Sequence, residues 1–524
     1  MSELDRLTHL ARAGRLSRRQ FLDRAAVLGV GAAAATSLFA KGAFAQQTPQ
    51  KGGDLVLGID SAGATDSLDP ATYTANYMQT VGYQWGNPLV ELDERNEVIP
   101  ELAESWEPNE QATEWVFKLR KGVQFSNGKE MTAADVVYSI NHHRGEGSTS
   151  GAQGYLQPIT DVKATDTHEV TVVLEASNAD VPYILSDYHL LIMPEDADPS
   201  GAIGTGAFVI EAFEPGVRTF SRRNPNYWKE GRGHVDTVET VAINDLTART
   251  SALQTGQVHF VNRIDPKTVA LLERAPGMRI YDVPSAGHYT FPMRCDMPPF
   301  DNVDVRLAVK YAVDRNQLVD TVLRGYGKIG NDHPIPDFDP FYNSELPQRE
   351  YDPDKAAFHL KQSGYSGPLV LHIADAAFTG AVDAATLFRE HAVAAGIPLE
   401  VQRVPEDGYW TDTWMQKPFV GSYWGGRPTA DLMLSVAYQS DAAWNESFWK
   451  REDFDKLLAQ ARGELDFDKR KEMYAELQRM VSEDGGEVIP MFNNFLFGSV
   501  DNLHGFVEAP VLTGLRVAEQ VWFE

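Results

Sequence analysis

The chain is poor in cysteine, in basic residues and in long apolar runs, and each shortage excludes a class of protein. Of 524 residues only Cys295 is a cysteine, so no disulfide can form within the chain, and a lone cysteine is usually a small buried residue. After position 45 no stretch is apolar enough to span a bilayer. The length and the 43% hydrophobic content suit a globular protein of several domains, whose core needs neither a disulfide nor a metal.

The shortage of basic residues gives the chain a strong negative charge. It has 47 basic and 74 acidic residues, a formal net charge of −27. Residues 1–45 contain seven of the basic and three of the acidic residues, so the rest has 40 basic and 71 acidic residues, or −31. Such a chain repels the phosphates of nucleic acids and anionic lipid head groups. We therefore expect no nucleic-acid partner.

Motifs for catalysis, metal binding or nucleotide binding are also missing. The G-x-G-x-x-G pattern at 325–330 follows a predicted helix instead of a strand, so it indicates a helix end and not a dinucleotide site. His142 and His143 are adjacent, and neighbours on a helix point about 100° apart. We predict no catalytic residue, no metal ligand and no cofactor, although a site built from scattered residues leaves no linear trace.

The first 45 residues have the pattern of an export signal. The stretch S-R-R-Q-F-L at 17–22 precedes an apolar run at 25–40, and A-F-A follows at 43–45. This pattern resembles a twin-arginine signal with a small-x-small cleavage site. We expect cleavage near Ala45 and, because no cysteine follows for a lipid anchor, a mature protein that diffuses freely in the periplasm.

Hydrophobic periodicity in the remaining chain predicts an α/β protein with mixed sheets. Alternating residues and an Asn-Gly turn predict a hairpin at 113–130. A capping box at 132–135 predicts the start of a helix, and helical spacing predicts one continuous helix from about Asp304 to Leu323. The segment 369–404 is typical of a β-α-β unit with a parallel strand pair.

An aromatic segment is the strongest sign of a binding site. Half of the ten tryptophans lie between 409 and 449, and W-G-G-R-P at 424–428 combines an aromatic ring, flexible backbone and a cation. Aromatic faces and Arg427 could form the wall of a pocket for a ligand with a carboxylate. The alternative is that the aromatic residues pack a core under a long loop.

Several ordered blocks resemble one family. The chain is similar, over nearly the whole mature length, to the extracytoplasmic solute-binding proteins of peptide, nickel and related ABC importers (family 5). The blocks are residues 100–106, 117–128, 132–139, 204–206, 223–228 and 299–315.

The resemblance implies a two-lobed periplasmic-binding-protein clamp with an extra β-rich domain inserted in lobe I. By this analogy lobe I comprises 46–90, 201–284 and 490–524, the inserted domain 91–199, and lobe II 285–489. The resemblance further implies a monomer that holds its ligand in the cleft between the lobes and closes around it. The closed form would be recognised by the ABC permease and ATPase complex of the inner membrane.

The family also indicates where ligand contacts are expected. In peptide-binding members an Asp in a W-x-A-D-Y-x-x-P stretch pairs with the ligand's amino group. Here that stretch falls on 423–428, with Trp424 or Gly425 at the Asp position and Asp431 as the nearest acid. The candidate ligand-binding residues are Tyr289, Tyr409, Trp410, Trp414, Tyr423, Trp424, Gly425, Gly426, Arg427 and Asp431.

Four ligand classes and one alternative activity remain open at this stage. A peptide or peptide-like ligand is the first expectation, but the missing Asp makes an opine-like conjugate or an oligosaccharide a close alternative. A metallophore is less favoured, and so is a secreted hydrolase on a similar two-lobed fold.

Overall fold

The computed structural model describes residues 49–145, 147–510 and 515–524, and Gly52–Phe523 pack as one compact unit. The expected export signal at 1–45 lies outside the described residues and stays a prediction. Among the described residues, no helix is both long and apolar enough to cross a membrane.

The strands and helices alternate irregularly along the chain. The strands are β1 Asp54–Ile59, β2 Val90–Leu92, β3 Val98–Pro100, β4 Ala103–Pro108, β5 Glu114–Leu119, β6 Ile159–Asp166, β7 Glu169–Leu174, β8 Phe208–Glu214, β9 Arg218–Arg223, β10 Thr237–Ala242, β11 Phe260–Val261, β12 Met278–Val283, β13 His288–Pro292, β14 Gly327–Ile329, β15 Leu369–Ile373, β16 Leu399–Arg403, β17 Ser422–Trp424, β18 Glu487–Asn493, β19 Phe495–Val500, β20 Leu503–His504 and β21 Trp522–Phe523. The α-helices are α1 Asn76–Trp85, α2 Ala133–His142, α3 Gln153–Leu156, α4 Val181–Ile184, α5 Leu246–Gln254, α6 Pro266–Leu272, α7 Val303–Tyr311, α8 Arg315–Val322, α9 Pro353–Ser363, α10 Ala381–Ala394, α11 Ala430–Tyr438, α12 Glu452–Gly463, α13 Phe467–Asp484 and α14 Val517–Gln520.

A seven-stranded mixed sheet, here called the large sheet, has the order β12-β19-β11-β1-β10-β9-β8. Strand β1 runs parallel to β10 and β11, and the other pairs are antiparallel. Helix α1 packs on this sheet, where Tyr77 is buried and its hydroxyl donates to the Thr240 carbonyl (2.9 Å). Leu55 and Leu57 of β1 lie in the same core.

Two further sheets have four strands each. One, with the order β4-β5-β7-β6, is antiparallel and has its own core, which includes Phe117, Val136 and Val172. The other, here called the small sheet, has the order β14-β18-β13-β17. Strands β15 and β16 pair in parallel around α10, as the β-α-β prediction requires. The expected α/β class with mixed sheets is confirmed.

The hairpin predicted for 113–130 is wrong. Only β5 forms there, and its partners are β4, the strand directly before it in the chain, and the distant strand β7. The Asn-Gly turn does form, with Gly128 at φ 87°, but it closes on the single bridge between Gln124 and Glu130. Alternation identified a strand correctly, whereas the choice of partner depends on tertiary contacts.

The single helix predicted from Asp304 to Leu323 is also wrong, because two helices, α7 and α8, occupy this region. Asp314 is extended, and its side chain accepts a hydrogen bond from the Gln317 amide (3.0 Å), so it caps the start of α8. Ala312 and Val313 are buried in the core. Their apolar spacing therefore arises because they are buried in the core between the two helices, and not because the helix continues through them.

The large and small sheets are joined by two adjacent segments. Residues 284–287 link β12 to β13, and residues 493–494 lead from β18 into β19. The Ser285 hydroxyl donates to the Asn493 carbonyl (2.6 Å), and the Asn493 amide donates to the Gly287 carbonyl (3.0 Å). These segments, here called the paired connections, therefore form one hydrogen-bonded unit.

A buried ion cluster fixes the small sheet to its helices. Asp332 is fully buried and accepts hydrogen bonds from Arg315 (2.7 Å) and Arg349 (2.8 Å), and from the Ile489 amide of β18 (3.0 Å). Burial alone would raise the pKa of Asp332, but Arg315, Lys310 and Arg349 outweigh it and lower the pKa below its ordinary value. The cluster therefore needs Asp332 in its charged form.

Replacing this carboxylate should destabilise the protein strongly. Asp332→Asn keeps the shape but leaves two arginines without a buried partner, so we expect a loss of about 3–5 kcal/mol of unfolding free energy in urea. The matched control is Asp337→Asn, in the exposed pair with Lys328, which should cost at most about 1 kcal/mol.

The loss should also depend on pH. The pKa of Asp332 is lower in the folded protein than in the unfolded chain. Its contribution to the free energy of unfolding is therefore complete above the unfolded pKa of about 3.9 and disappears as the pH falls through the folded pKa. Equal urea midpoints for the two variants at neutral pH would contradict this role.

Candidate functional site

Strand β17 forms an outer edge of the small sheet. It pairs with β13 alone among the described strands, placing Tyr423 opposite Tyr289 and Trp424 opposite His288. Because side chains alternate along a strand, Tyr289 and Tyr423 share one face and His288 and Trp424 share the other. The sheet thus brings together candidate residues that are 134 positions apart.

Three aromatic side chains group beside this edge and are here called the aromatic face: Trp410, Trp414 and Tyr423. Trp410 contacts both others edge to face, with ring centroids 5.7 Å apart in each case. The exposed fractions of Trp410 and Tyr423 are 39% and 51%. Core packing therefore does not account for these two rings, and adjacent exposed aromatic rings are typical of binding surfaces.

Two other predicted tyrosines lie at different depths. Tyr289 is partly buried and stacks on Phe378, with centroids 4.1 Å apart and planes 7° apart. Tyr409 is fully buried, and its hydroxyl donates to the Gly421 carbonyl (2.8 Å). Tyr409 thus supports the site from the core, and we leave it out of the proposed contacts.

Glu446 fixes the aromatic residues from their buried side and was not predicted from the sequence. Its side chain is buried, with 2% exposed. It accepts hydrogen bonds from the Thr290 hydroxyl (2.9 Å), the Trp424 indole (2.9 Å) and the Trp414 indole. One carboxylate thereby fixes the orientation of two tryptophans from different parts of the segment.

The electrostatic state of Glu446 follows from these partners. All of these donors are neutral, and no cation within the described residues forms an ion pair with it. Burial raises the pKa of Glu446, and the hydrogen bonds from Trp414 and Trp424 only partly oppose this rise. No motif marks Glu446, and the sequence signal was only its place inside the aromatic segment.

Arg427 lies next to Trp424, above the indole ring at 5.8 Å from its centroid. Its guanidinium donates to the backbone carbonyls of Gly425 (3.0 Å) and Gly426 (3.3 Å). A Cβ on Gly426 would stand 2.7 Å from the Cβ of Ala286. Gly426 therefore lets the loop approach the paired connections closely, whereas Gly425 is exposed.

Arg427 lies near residues from a distant part of the chain, at positions 96 and 187–188. Asn96 donates to the Pro428 carbonyl (2.7 Å), and Asp187 and Tyr188 lie near enough to affect the guanidinium electrostatically. Burial lowers the pKa of Arg427 despite these neighbours. Asp187 itself accepts hydrogen bonds from His189 (2.6 Å to the ring). Within the described ranges Arg427 forms no ion pair with a carboxylate.

Asp431 is committed to a different contact. It is 3% exposed, lies in the first turn of α11, and accepts hydrogen bonds from Arg462 (3.0 Å) and the Tyr474 hydroxyl (3.2 Å). These bonds occupy its carboxylate within the protein, so we leave Asp431 out of the proposed site.

The side chains that could support catalysis or metal binding are either unreactive or already hydrogen-bonded within the protein. Burial raises the pKa of the Cys295 thiol to about 11, so the nucleophilic thiolate is scarce at neutral pH. His142 pairs with Asp69 (2.8 Å), and His143 with the Ser150 hydroxyl (2.7 Å). In the described part of the chain, no three His, Cys, Asp or Glu side chains are placed to hold a metal ion.

The arrangement is that of a binding protein: aromatic rings and an unpaired cation at a sheet edge, beside a double connection to a second sheet. The profile of the bacterial extracellular solute-binding proteins, family 5 Middle, matches residues 97–446. The chain belongs to this family. It is a solute-binding component of the ABC-importer type, which confirms the resemblance seen in the sequence.

Relatives and solved structures align over most of the chain. Heme-binding protein A of Haemophilus influenzae is 25% identical over 484 residues, covering 84% of this chain and 87% of the relative. Glutathione-binding protein GsiB of Escherichia coli K12 is 24% identical over 491 residues, covering 90% and 94%. The solved structure of PBP AgaA in complex with agropinic acid, from A. tumefaciens R10, has a TM-score of 0.74 at 22% identity, covering 90% and 99%. The periplasmic-binding-protein fold is confirmed.

Glu446→Gln tests the organising role of this carboxylate. The glutamine NH₂ group cannot accept a hydrogen bond, so at least one donor loses its acceptor, and we expect a loss of about 1–3 kcal/mol of unfolding free energy. Tryptophan fluorescence during urea unfolding reports both stability and the indole environments. The exposed Glu400→Gln serves as the control. If the two variants unfold alike with native emission spectra, the role is refuted.

Proposed function

We propose that this protein is the periplasmic component that captures a small peptide or peptide-like conjugate bearing a carboxylate and delivers it to the permease and ATPase complex of an ABC importer. The observation that carries the proposal is Arg427, a partly buried cation with two backbone carbonyls as its acceptors. The protein binds this ligand as a monomer and without converting it.

The chemistry of the guanidinium selects an anionic group. Arginine has five N–H donors in a planar fork that suits a carboxylate. Burial of a charge is costly unless it is paired, and the nearby Asp187 is already bonded to His189. A ligand carboxylate would complete the hydrogen bonding of Arg427 in a way that the protein's own residues do not.

The sheet edge beside Arg427 suits the rest of a peptide-like ligand. The outer side of β17 has no strand partner among the described residues, and extended peptides commonly add to such edges through main-chain hydrogen bonds. Trp410 and Tyr423 supply apolar surface for side chains of the ligand. Affinity and orientation would thus come from different groups.

Polar groups of the large sheet face this region from the other side. Asp60 directly follows β1, and Arg263 follows the parallel strand β11, so both lie at carboxyl ends of strands, where α/β proteins commonly bind ligands. They form an ion pair (3.2 Å). Arg263 is close enough to oppose the burial that raises the pKa of Tyr289 to about 12. Charges of both signs therefore border the proposed cleft.

Other ligand classes fit fewer of these observations. An opine-like conjugate shares the carboxylate and could use Arg427 in the same way. An oligosaccharide would stack on the aromatic face but would leave Arg427 unpaired. For a hydrolase, the Cys295 thiol is mostly protonated, and the compared relatives are named for binding.

Closure would follow from the paired connections. A rotation at 284–287 and 493–494 would move the small sheet relative to the large one with few other backbone changes. A ligand that touches both sheets favours the closed arrangement, because only that form makes both sets of contacts. The permease would then distinguish loaded from empty protein.

Arg427→Ala should weaken binding of a carboxylate ligand by about 2–4 kcal/mol, because the anion loses its partner. Isothermal titration with glutathione, a tripeptide mixture and agropinic acid identifies the ligand class. The methyl ester of the tightest ligand should bind wild type and Arg427→Ala with nearly equal affinity.

The control for this titration is Arg389→Ala, which removes an exposed arginine on α10. Unchanged affinity in Arg427→Ala, with acid and ester binding alike, would remove Arg427 from the site. Preferential binding of a neutral oligosaccharide would favour the alternative ligand class.

The export route is a separate prediction. We propose cleavage near Ala45 after twin-arginine export, on the pattern at 17–45. Replacing Arg18 and Arg19 together by lysine should leave full-length protein in the cytoplasm, whereas replacing Arg12 and Arg15 should not. Intact mass of the periplasmic protein locates the new N-terminus, and equal export of both variants would argue against this route.

A further inference from the structure

A cavity of about 350 Å³ lies beside the paired connections. Its wall includes Pro284 and Ser285 of one connection and Asn494 of the other. Residues of β14 also line it, and β14 is the edge of the small sheet opposite β17. The cavity is therefore separate from the aromatic face and from Arg427, and its volume lies within the range of small-molecule sites.

The lining of this cavity is mainly apolar or neutral. Val319, Ile335, Phe338 and Phe492 contribute apolar surface. The charged side chains in the lining, Lys328 and Asp337, form an ion pair with each other (2.5 Å) and are about half exposed. The lining therefore has no unpaired charge of either sign, and the cavity suits an uncharged occupant.

His333 gives the cavity an unfilled hydrogen-bonding group. Its side chain is 1% exposed, and both ring nitrogens lack a hydrogen-bond partner in the described structure. Burial lowers the pKa of His333 to about 4, so the ring is neutral at pH 7 and presents one donor and one acceptor. The adjacent Asp332 is taken up by Arg315 and Arg349 and cannot serve it.

A second buried imidazole lies next to one wall of the cavity. His288 is fully buried, and its Nε2 also lacks a partner among the described residues, while its Nδ1 lies 3.0 Å from the Ala286 carbonyl. Its ring packs 5.2 Å from that of Phe492, which lines the cavity. His288 does not itself line the cavity, so His333 supplies the unpartnered polar group there, and buried polar groups are nearly always hydrogen-bonded.

We propose that this cavity is a second binding site, for a small uncharged aromatic molecule whose single polar group forms a hydrogen bond with one ring nitrogen of His333. A phenolic hydroxyl or a primary amide has this chemistry. A larger recess, of about 470 Å³ near Cys295, does not compete for this role, because its Arg306 and Arg451 are already paired with Asp484.

The test is ¹⁹F NMR of the mature protein with 4-fluorophenol and, separately, 4-fluorobenzamide. We expect saturable broadening or a shift of at least one probe resonance. His333→Phe should weaken that binding by at least about tenfold, since it removes the donor and the acceptor. His333→Gln should retain it, because an amide supplies both groups.

Two comparisons make the result decisive. His168→Phe, which changes a histidine of the β6–β7 turn, should bind the probe as wild type does, and thermal melting must show that each variant is folded. Equal binding to folded His333→Phe and wild type would mean that an adventitious probe contact was observed. No saturable binding of either probe up to about 10 mM would mean that water alone fills the cavity, and both outcomes overturn the proposal.

Discussion

The hydrogen-bonded pairing of residues 284–287 with 493–494 is the constraint on which the rest of the molecule depends. It brings the large and small sheets together through two backbone segments that are far apart in sequence. Gly426 contacts Ala286, so the same connections also position the loop that carries Arg427. The proposed cleft and the cavity beside the paired connections therefore border the same backbone segments while using different side chains.

Two buried acidic residues, Asp332 and Glu446, stabilise this protein in opposite ways. Asp332 is held charged by arginines, and removing either sign leaves an uncompensated charge in the core. Glu446 is surrounded by neutral donors and has a raised pKa, so it works as a hydrogen-bond acceptor for indoles more than as a charge. The first acid fixes the sheet to its helices, and the second fixes the binding surface to the sheet.

Local signals in the sequence predicted local structure well. The capping box at Thr132 and Asp135 and the parallel pair β15–β16 formed as expected, because both depend on neighbouring residues. The predicted hairpin failed because β5 pairs with the preceding strand β4 and with the distant strand β7 instead of with the residues after it. The long helix failed because Asp314 caps the start of a second helix, a local signal that the apolar spacing concealed. In the site, Trp410 and Tyr423 are exposed, and the pocket wall predicted for them stays a prediction. No local pattern could reveal that Tyr409 lies in the core, that Asp431 pairs with Arg462, or that Glu446 holds two tryptophans.

The single cysteine has a practical consequence for watching this molecule move. With a pKa of about 11, the Cys295 thiolate is roughly two to three orders of magnitude scarcer at neutral pH than that of an ordinary exposed cysteine. Cysteines introduced on the surfaces of the two sheets would therefore react with fluorescent dyes long before the natural thiol. Distance changes between two such dyes could be followed in single molecules without first removing Cys295 from its packed position against Gly486.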